Sequence, residues 1–198
     1  PLRPHAPDLV RTLATLLMGE CVGPDGSVAT LAGIAENSAA TMGRLALCGP
    51  GLVAPDLAVF LTGWCDGMAK ISDPGERSDA FGGLVQALRA NPGAVAGADP
   101  EGRGDPAGAV RSILFAGSSW HLPQAPGAGE DGGGGGGADG GGPSFVADPP
   151  GLEEGLRSEL AALLSQMKAG LLGEEAWREK VERGMPPSVR RLFRDSYG

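Results

Sequence analysis

Apolar residues recur along this chain at helical spacing, and clusters of turn-forming residues interrupt them at intervals. From Asp8, the positions Leu9, Leu13, Leu16 and Leu17 fall on one helical face, with Asp8 placed to cap it. Gly23-Pro24-Asp25-Gly26 breaks that helix. A second starts near Ser27, carries the stripe Leu31, Ile34, Ser38, Met42 and Leu45, and stops at Gly49-Pro50-Gly51. A third begins near Pro55-Asp56, with Leu57, Phe60, Leu61, Trp64 and Met68 on one side. After the turn Ser72-Asp73-Pro74-Gly75, a fourth carries Phe81, Leu84, Val85 and Leu88 and ends at Asn91-Pro92. Residues 93–106 read as loop, and a fifth helix covers about Ala107 to Trp120. A sixth bears Leu156, Leu160, Leu163, Leu164, Met167 and Leu171. Two short helices close the chain, one around Trp177 and Val181 and one from Ser188 through Leu192 and Phe193.

No segment sustains the alternation of a strand. Helix, short turn and helix repeat with a period on the order of 40 residues per pair, the range of HEAT-type repeats. Each hairpin can bury its stripe only against a neighbour, so the pairs stack into a curved solenoid. The expected fold is therefore all-α: a HEAT-repeat solenoid of stacked antiparallel helix pairs. Composition adds one feature. Of 35 glycines, many sit in the tract Asp131–Gly142, which reads as a flexible linker without apolar area to offset its ordering entropy. The expected organisation is HEAT repeats over 1–122, a Gly-rich disordered insertion over 123–150, and a C-terminal HEAT repeat and cap over 151–198. Aromatic residues are only 5%, so Leu, Ala and Val build the core, a mix that favours helices.

The net charge is −8, yet residues 151–198 hold eight acidic and eight basic side chains, so the whole excess lies in 1–150. An acidic surface repels phosphate backbones and argues against nucleic acid; it suits basic partners, or simply solubility. Cys21, Cys48 and Cys65 are an odd, widely spaced set inside apolar helical patterns, which reads as buried thiols in a reducing compartment. His5 and His121 are far apart and beside prolines, so no zinc site follows. No apolar stretch reaches membrane-spanning length and no signal peptide is recognisable. The opening Pro1-Leu2-Arg3-Pro4 carries no Met, as expected of a fragment. The tract Gly132–Gly142 lacks the G-K-[ST] ending and the preceding strand of a phosphate loop. No G-x-S-x-G or H-E-x-x-H appears. Ser118-Ser119-Trp120-His121 reads as a helix end, Glu153-Glu154 as acids suited to a helix start, and Arg190, Arg191 and Arg194 as a solvated C-terminal turn. These readings give no cofactor and no metal, and they describe a protein-binding module, not an enzyme.

The second helix has a less ordinary face. Opposite its core stripe, a helical wheel places Gly33, Asn37, Ala40 and Arg44. Asn is a poor helix former, yet it sits mid-helix, flanked by small residues. Its carboxamide donates and accepts, so it can pair with the backbone of an extended peptide that Gly33 and Ala40 let come close. An exposed Asn without a role fits the wheel equally well.

Several segments resemble the C-terminal end of the transportins, karyopherin-beta nuclear import receptors of the importin-beta superfamily that recognise proline-tyrosine nuclear localisation signals. The run Glu36-Asn37-Ser38-Ala39-Ala40-Thr41-Met42-Gly43-Arg44-Leu45, followed by Val53-Ala54-Pro55, is similar to the family's E-N-T-A-I-T-I-G-R-L and V-A-P. Trp64-Cys65, Asp79-Ala80-Phe81-Gly82-Gly83, Asn91-Pro92-Gly93 and Ser119-Trp120 resemble the family's W-C, D-S-A-F-R-G, N-P-S-G and S-W. Trp177-Arg178, Pro186 and the terminal Tyr197-Gly198 echo its last W-R-R, proline-bearing turn and F-Y-G. The matches run in order over nearly the whole chain, broken by insertions at about 96–107 and 123–150.

The resemblance implies the last few repeats of a HEAT superhelix whose concave C-terminal half holds cargo. It implies cargo proteins with basic or proline-tyrosine signals, release by Ran bound to GTP through N-terminal repeats outside the matched stretch, contacts with nucleoporins, and shuttling between cytoplasm and nucleus. It puts Asn37 and Ala40 at cargo-contact positions. Ala40 departs from the family's Ile, which shrinks the apolar contact. The alternative is a generic HEAT-repeat scaffold or regulatory subunit, such as a phosphatase or assembly subunit; a Ran-binding region upstream would discriminate. An enzyme would need a convergent polar pocket, for which the sequence offers no residues.

Overall fold

Every regular element is helical among the residues that this computed structural model describes, which are 5–19, 29–96, 105–119 and 154–197. The chain forms α1 (Ala6–Leu17), α2 (Ala29–Cys48), a short α3 (Pro50–Val53), α4 (Leu57–Met68), α5 (Pro74–Ala90), α6 (Pro106–Ser119), α7 (Glu154–Met167), a short α8 (Gly173–Ala176) and α9 (Pro187–Tyr197). The expected Gly-rich insertion over 123–150, and with it Cys21, Trp120, His121 and Glu153, lies outside the described residues.

The helices stack in two layers. In the first, α1 packs on α4, α4 on α6, and α6 on the π-helical segment Trp177–Glu182. In the second, α2 packs on α5, α5 on α7, and α7 on α9. The hairpins α1–α2 and α4–α5 tie the layers together, as does the contact of α6 with α9. This is the all-α stack of helix pairs that the periodicity predicts, a HEAT-type solenoid.

The core follows the predicted stripes in α4 and α5, whereas in α1 Leu9 and Leu16 are half-buried while Val10 and Ala14 are buried, and in α2 Ile34 and Leu45 are half-buried. Leu57, Phe60, Leu61, Trp64 and Met68 of α4 are buried, as are Phe81, Leu84, Val85 and Leu88 of α5. The Trp64 indole, fully buried, donates from Nε1 to the Ala39 carbonyl at 3.0 Å, so its polar atom is satisfied where it pins α4 to the middle of α2. The second layer closes through glycines. A Cβ on Gly83 would stand 2.7 Å from the Gly43 Cα, and one on Gly43 would stand 3.0 Å from the Ala80 backbone nitrogen. The α2 and α5 backbones thus meet directly, which only residues without a Cβ permit. At the C-terminal end, α7 runs on through a π-helical turn, Lys168–Leu172, until Gly173 breaks it at φ 74°. There the chain turns back and Trp177 meets Phe193 of α9 at 6.1 Å between ring centroids.

Four local expectations change. Asp8 is not the cap of α1; the N-cap is His5, and Asp8 sits in the first turn, where it pairs with Arg11 at 3.0 Å. The stop at Gly49-Pro50-Gly51 ends α2 but at once starts α3, because Pro at a first helical position lacks only an amide that would have no partner there. Cys65 is buried, and that burial pushes its thiol pKa up, but Cys48 is exposed at the end of α2. Of the terminal arginines, Arg191 is exposed, whereas Arg190 is half-buried, its Nη2 donating to the Met185 carbonyl at 3.1 Å.

Candidate partner-binding face

The free face of α2 is real but narrower than the wheel draws it. Gly33, Asn37 and Arg44 are exposed. Ala40 is not: it is 2% exposed and belongs to the core. Glu36 and Arg44 stand one turn before and after Ala40, and both reach across to α5 and its leading turn. Glu36 Oε1 accepts from the Ser72 amide at 3.2 Å, and Arg44 pairs with Glu76 at 3.0 Å and Asp79 at 3.3 Å. Ala40 lies between these two residues along α2 and is packed in the hydrophobic core. It offers nothing to a partner, and its expected role as a contact is corrected.

Asn37 keeps its opportunity. Among the described residues its carboxamide makes no side-chain hydrogen bond, so both its donor and its acceptor face solvent on the second layer. Around it the electrostatics are mixed. The hydrogen bond to Glu76, followed by that to Asp79, holds the Arg44 guanidinium pKa above its ordinary value. Two carboxylates face this one cation, and solvent reaches all three side chains, so the cluster can exchange partners. Behind it, Arg77 is buried and donates from Nε to the Ile71 carbonyl. Burial lowers its pKa, and the nearby Asp73 and Glu36 oppose that shift.

The described residues contain no group of three or more His, Cys, Asp or Glu able to hold a metal ion, and no helix long and apolar enough to cross a membrane. An open groove of about 540 Å³ lies in the first layer, between α4 and α6. Sequence reading missed it. Its walls, among them Asp66 and Phe115, come from separate elements, and no motif links them.

The two layers of stacked helix pairs define a class: an all-α HEAT-type solenoid. Within that class, the chain is transportin-like. It is 29% identical over 189 residues to transportin-1 of Oryza sativa subsp. japonica, a match covering 94% of this chain and 16% of that protein. It is 40% identical over 60 residues to transportin-1 of Homo sapiens, covering 30% of this chain and 7% of that one. With transportin of Dictyostelium discoideum it shares 28% identity over 86 residues, 43% of this chain and 9% of that protein. The chain thus spans less than a fifth of the length of these relatives. No protein-family model matches it, and no solved structure matches it.

Proposed function

We propose that this chain is the C-terminal, cargo-binding part of a nuclear import receptor. In this reading the second layer receives an extended nuclear localisation signal of the basic or proline-tyrosine type. Asn37 pairs with the signal's backbone, Gly33 lets that backbone approach, and Arg44 with Glu76 and Asp79 meets its charged side chains. Ran bound to GTP releases the cargo through N-terminal repeats of the receptor, nucleoporins contact the receptor during passage, and the protein shuttles between cytoplasm and nucleus. The activity is binding, with no catalytic step. The unengaged carboxamide of Asn37, exposed mid-helix beside a glycine on a transportin-like solenoid, carries the reading. The negative excess of residues 1–150 suits a basic signal.

The test is a fluorescence-anisotropy titration of the full receptor with a proline-tyrosine signal peptide. Asn37→Ala removes a hydrogen-bonding group without touching the packed stripe, so it should cost about 1 kcal/mol and weaken binding several-fold. Val59→Ala, at a position 59% exposed on α4, should bind like the wild type. Equal affinity of Asn37→Ala and wild type would remove this face from the binding site. Failure of the wild-type receptor to bind the peptide would overturn the whole reading.

A further inference from the structure

The groove between α4 and α6 lies in the other layer from the α2 face, and the proposed function does not use it. Its chemistry is uneven in an informative way. Asp66 of α4 projects into it, and among the described residues no cation stands within ion-pair distance of that carboxylate and no donor hydrogen-bonds to it. Burial holds the Asp66 carboxyl pKa above its ordinary value, and Lys70, one turn on, only opposes that shift. The groove's own cation is already committed. Arg111 donates to the Lys180 carbonyl through Nη1 and pairs with Asp105 at 3.3 Å through Nη2. Among the described residues the Asp66 carboxylate therefore lines the groove without a salt bridge, with Lys70 one turn away as a nearby positive charge. Two hydroxyls, Thr62 and Ser112, line the same groove, and neither makes a side-chain hydrogen bond among the described residues. Phe115 completes the lining and is 50% exposed, one of few large apolar side chains so placed.

A carboxylate, two free hydroxyl acceptors and an open aromatic face in one groove form a complementary set for a single side chain. A guanidinium carries planar donors for the carboxylate and hydroxyls, and its face stacks on an aromatic ring; an ammonium has neither the fork nor the plane. We infer that this groove is a docking site for an arginine side chain of a partner polypeptide, with Asp66 as the counter-ion and Phe115 as the stacking platform. Arg111 also lines the groove, but its guanidinium is held by the Lys180 carbonyl and its charge is paired with Asp105.

The test uses the 198-residue chain and the peptide acetyl-Leu-Arg-Leu-amide, with lysine and citrulline versions as controls. Citrulline keeps the shape and loses the charge. Amide chemical shifts are followed by 15N NMR during titration. The arginine peptide should move Thr62, Asp66, Ser112 and Phe115 saturably and leave Asn37 unmoved. The lysine peptide should bind several-fold more weakly, and the citrulline peptide on the order of tenfold more weakly or worse. Asp66→Asn removes the charge at a site that already disfavours it, and Phe115→Ala trims a half-exposed ring, so both variants should stay folded. Each should weaken the arginine peptide, Asp66→Asn by about tenfold. Equal binding of the arginine and citrulline peptides, shifts centred elsewhere, or unchanged affinity in a folded Asp66→Asn protein would each overturn the inference. None of these results bears on the α2 face, whose own test reads a different peptide and a different residue.

Discussion

At the scale of single residues, glycines with the same appearance in sequence have opposite roles. Gly33 and Gly43 both sit inside α2. A Cβ on Gly33 meets nothing within 4 Å, whereas Gly43 and Gly83 are where two helix backbones touch. Gly83→Ala therefore drives a methyl group into the Gly43 backbone, which no rotamer relieves, and α2 must move off α5. The expected loss is about 3 kcal/mol in a urea melt. Gly33→Ala removes backbone freedom from an open helical site and should be neutral or stabilising by up to about 1 kcal/mol. Equal stability of the two variants would contradict the close crossing. Ala40 teaches the same lesson. A wheel assigns it to the free side, but a wheel knows nothing of the core it packs into.

At the scale of elements, three aspartates each stand before an apolar run, and they do not act alike. Asp73 precedes Pro74 with extended backbone, φ −72° and ψ 125°, and its Oδ1 accepts from the Glu76 amide at 2.8 Å. That geometry makes it a working N-cap. Asp56, at φ −101° and ψ 7°, ends a 3₁₀ turn and accepts no backbone amide. Asp8 lies inside α1. Asp73→Ala should cost about 1 kcal/mol, seen as a lower denaturant midpoint with an unchanged slope. Asp56→Ala should stay within roughly 0.5 kcal/mol of the wild type. The Asp-Pro-Gly turn before α5 was legible from sequence because Pro fixes the first helical position. Asp8 and Asp56 do not cap, because capping depends on the backbone angle of the incoming chain.

At the scale of the whole molecule, a stack of helix pairs leaves an apolar face at its end unless something covers it. We propose that the segment from Trp177 to Phe193 does so in this chain. Trp177, Val181, Met185, Val189 and Phe193 are all buried in one cluster with Leu160, Leu163, Leu164 and Met167 of α7. The bond from Arg111 of α6 to the Lys180 carbonyl fastens the same segment to the first layer. Truncation after Gly173 should expose the α7 stripe, lower the melting temperature and produce aggregates in size-exclusion chromatography with light scattering. A monodisperse truncated chain with the melting temperature of the full one would show that the last repeat caps nothing.

The order of helices, the core stripes of α4 and α5 and the all-α class were set by the sequence alone, because periodicity is a local property and 3.6 residues per turn marks a buried face without reference to its neighbour. The resemblance carried by Glu36–Leu45 and the ordered tail pointed to the transportins for the same reason, being written in consecutive residues. Tertiary structure decided which of the remaining positions stay open. Ala40 is buried in the core, Cys48 is left exposed at a helix end, and the groove of Asp66 and Phe115 exists only because α4 and α6 lie side by side. Exposure belongs to the arrangement of helices, and no residue's own neighbours in the chain determine it.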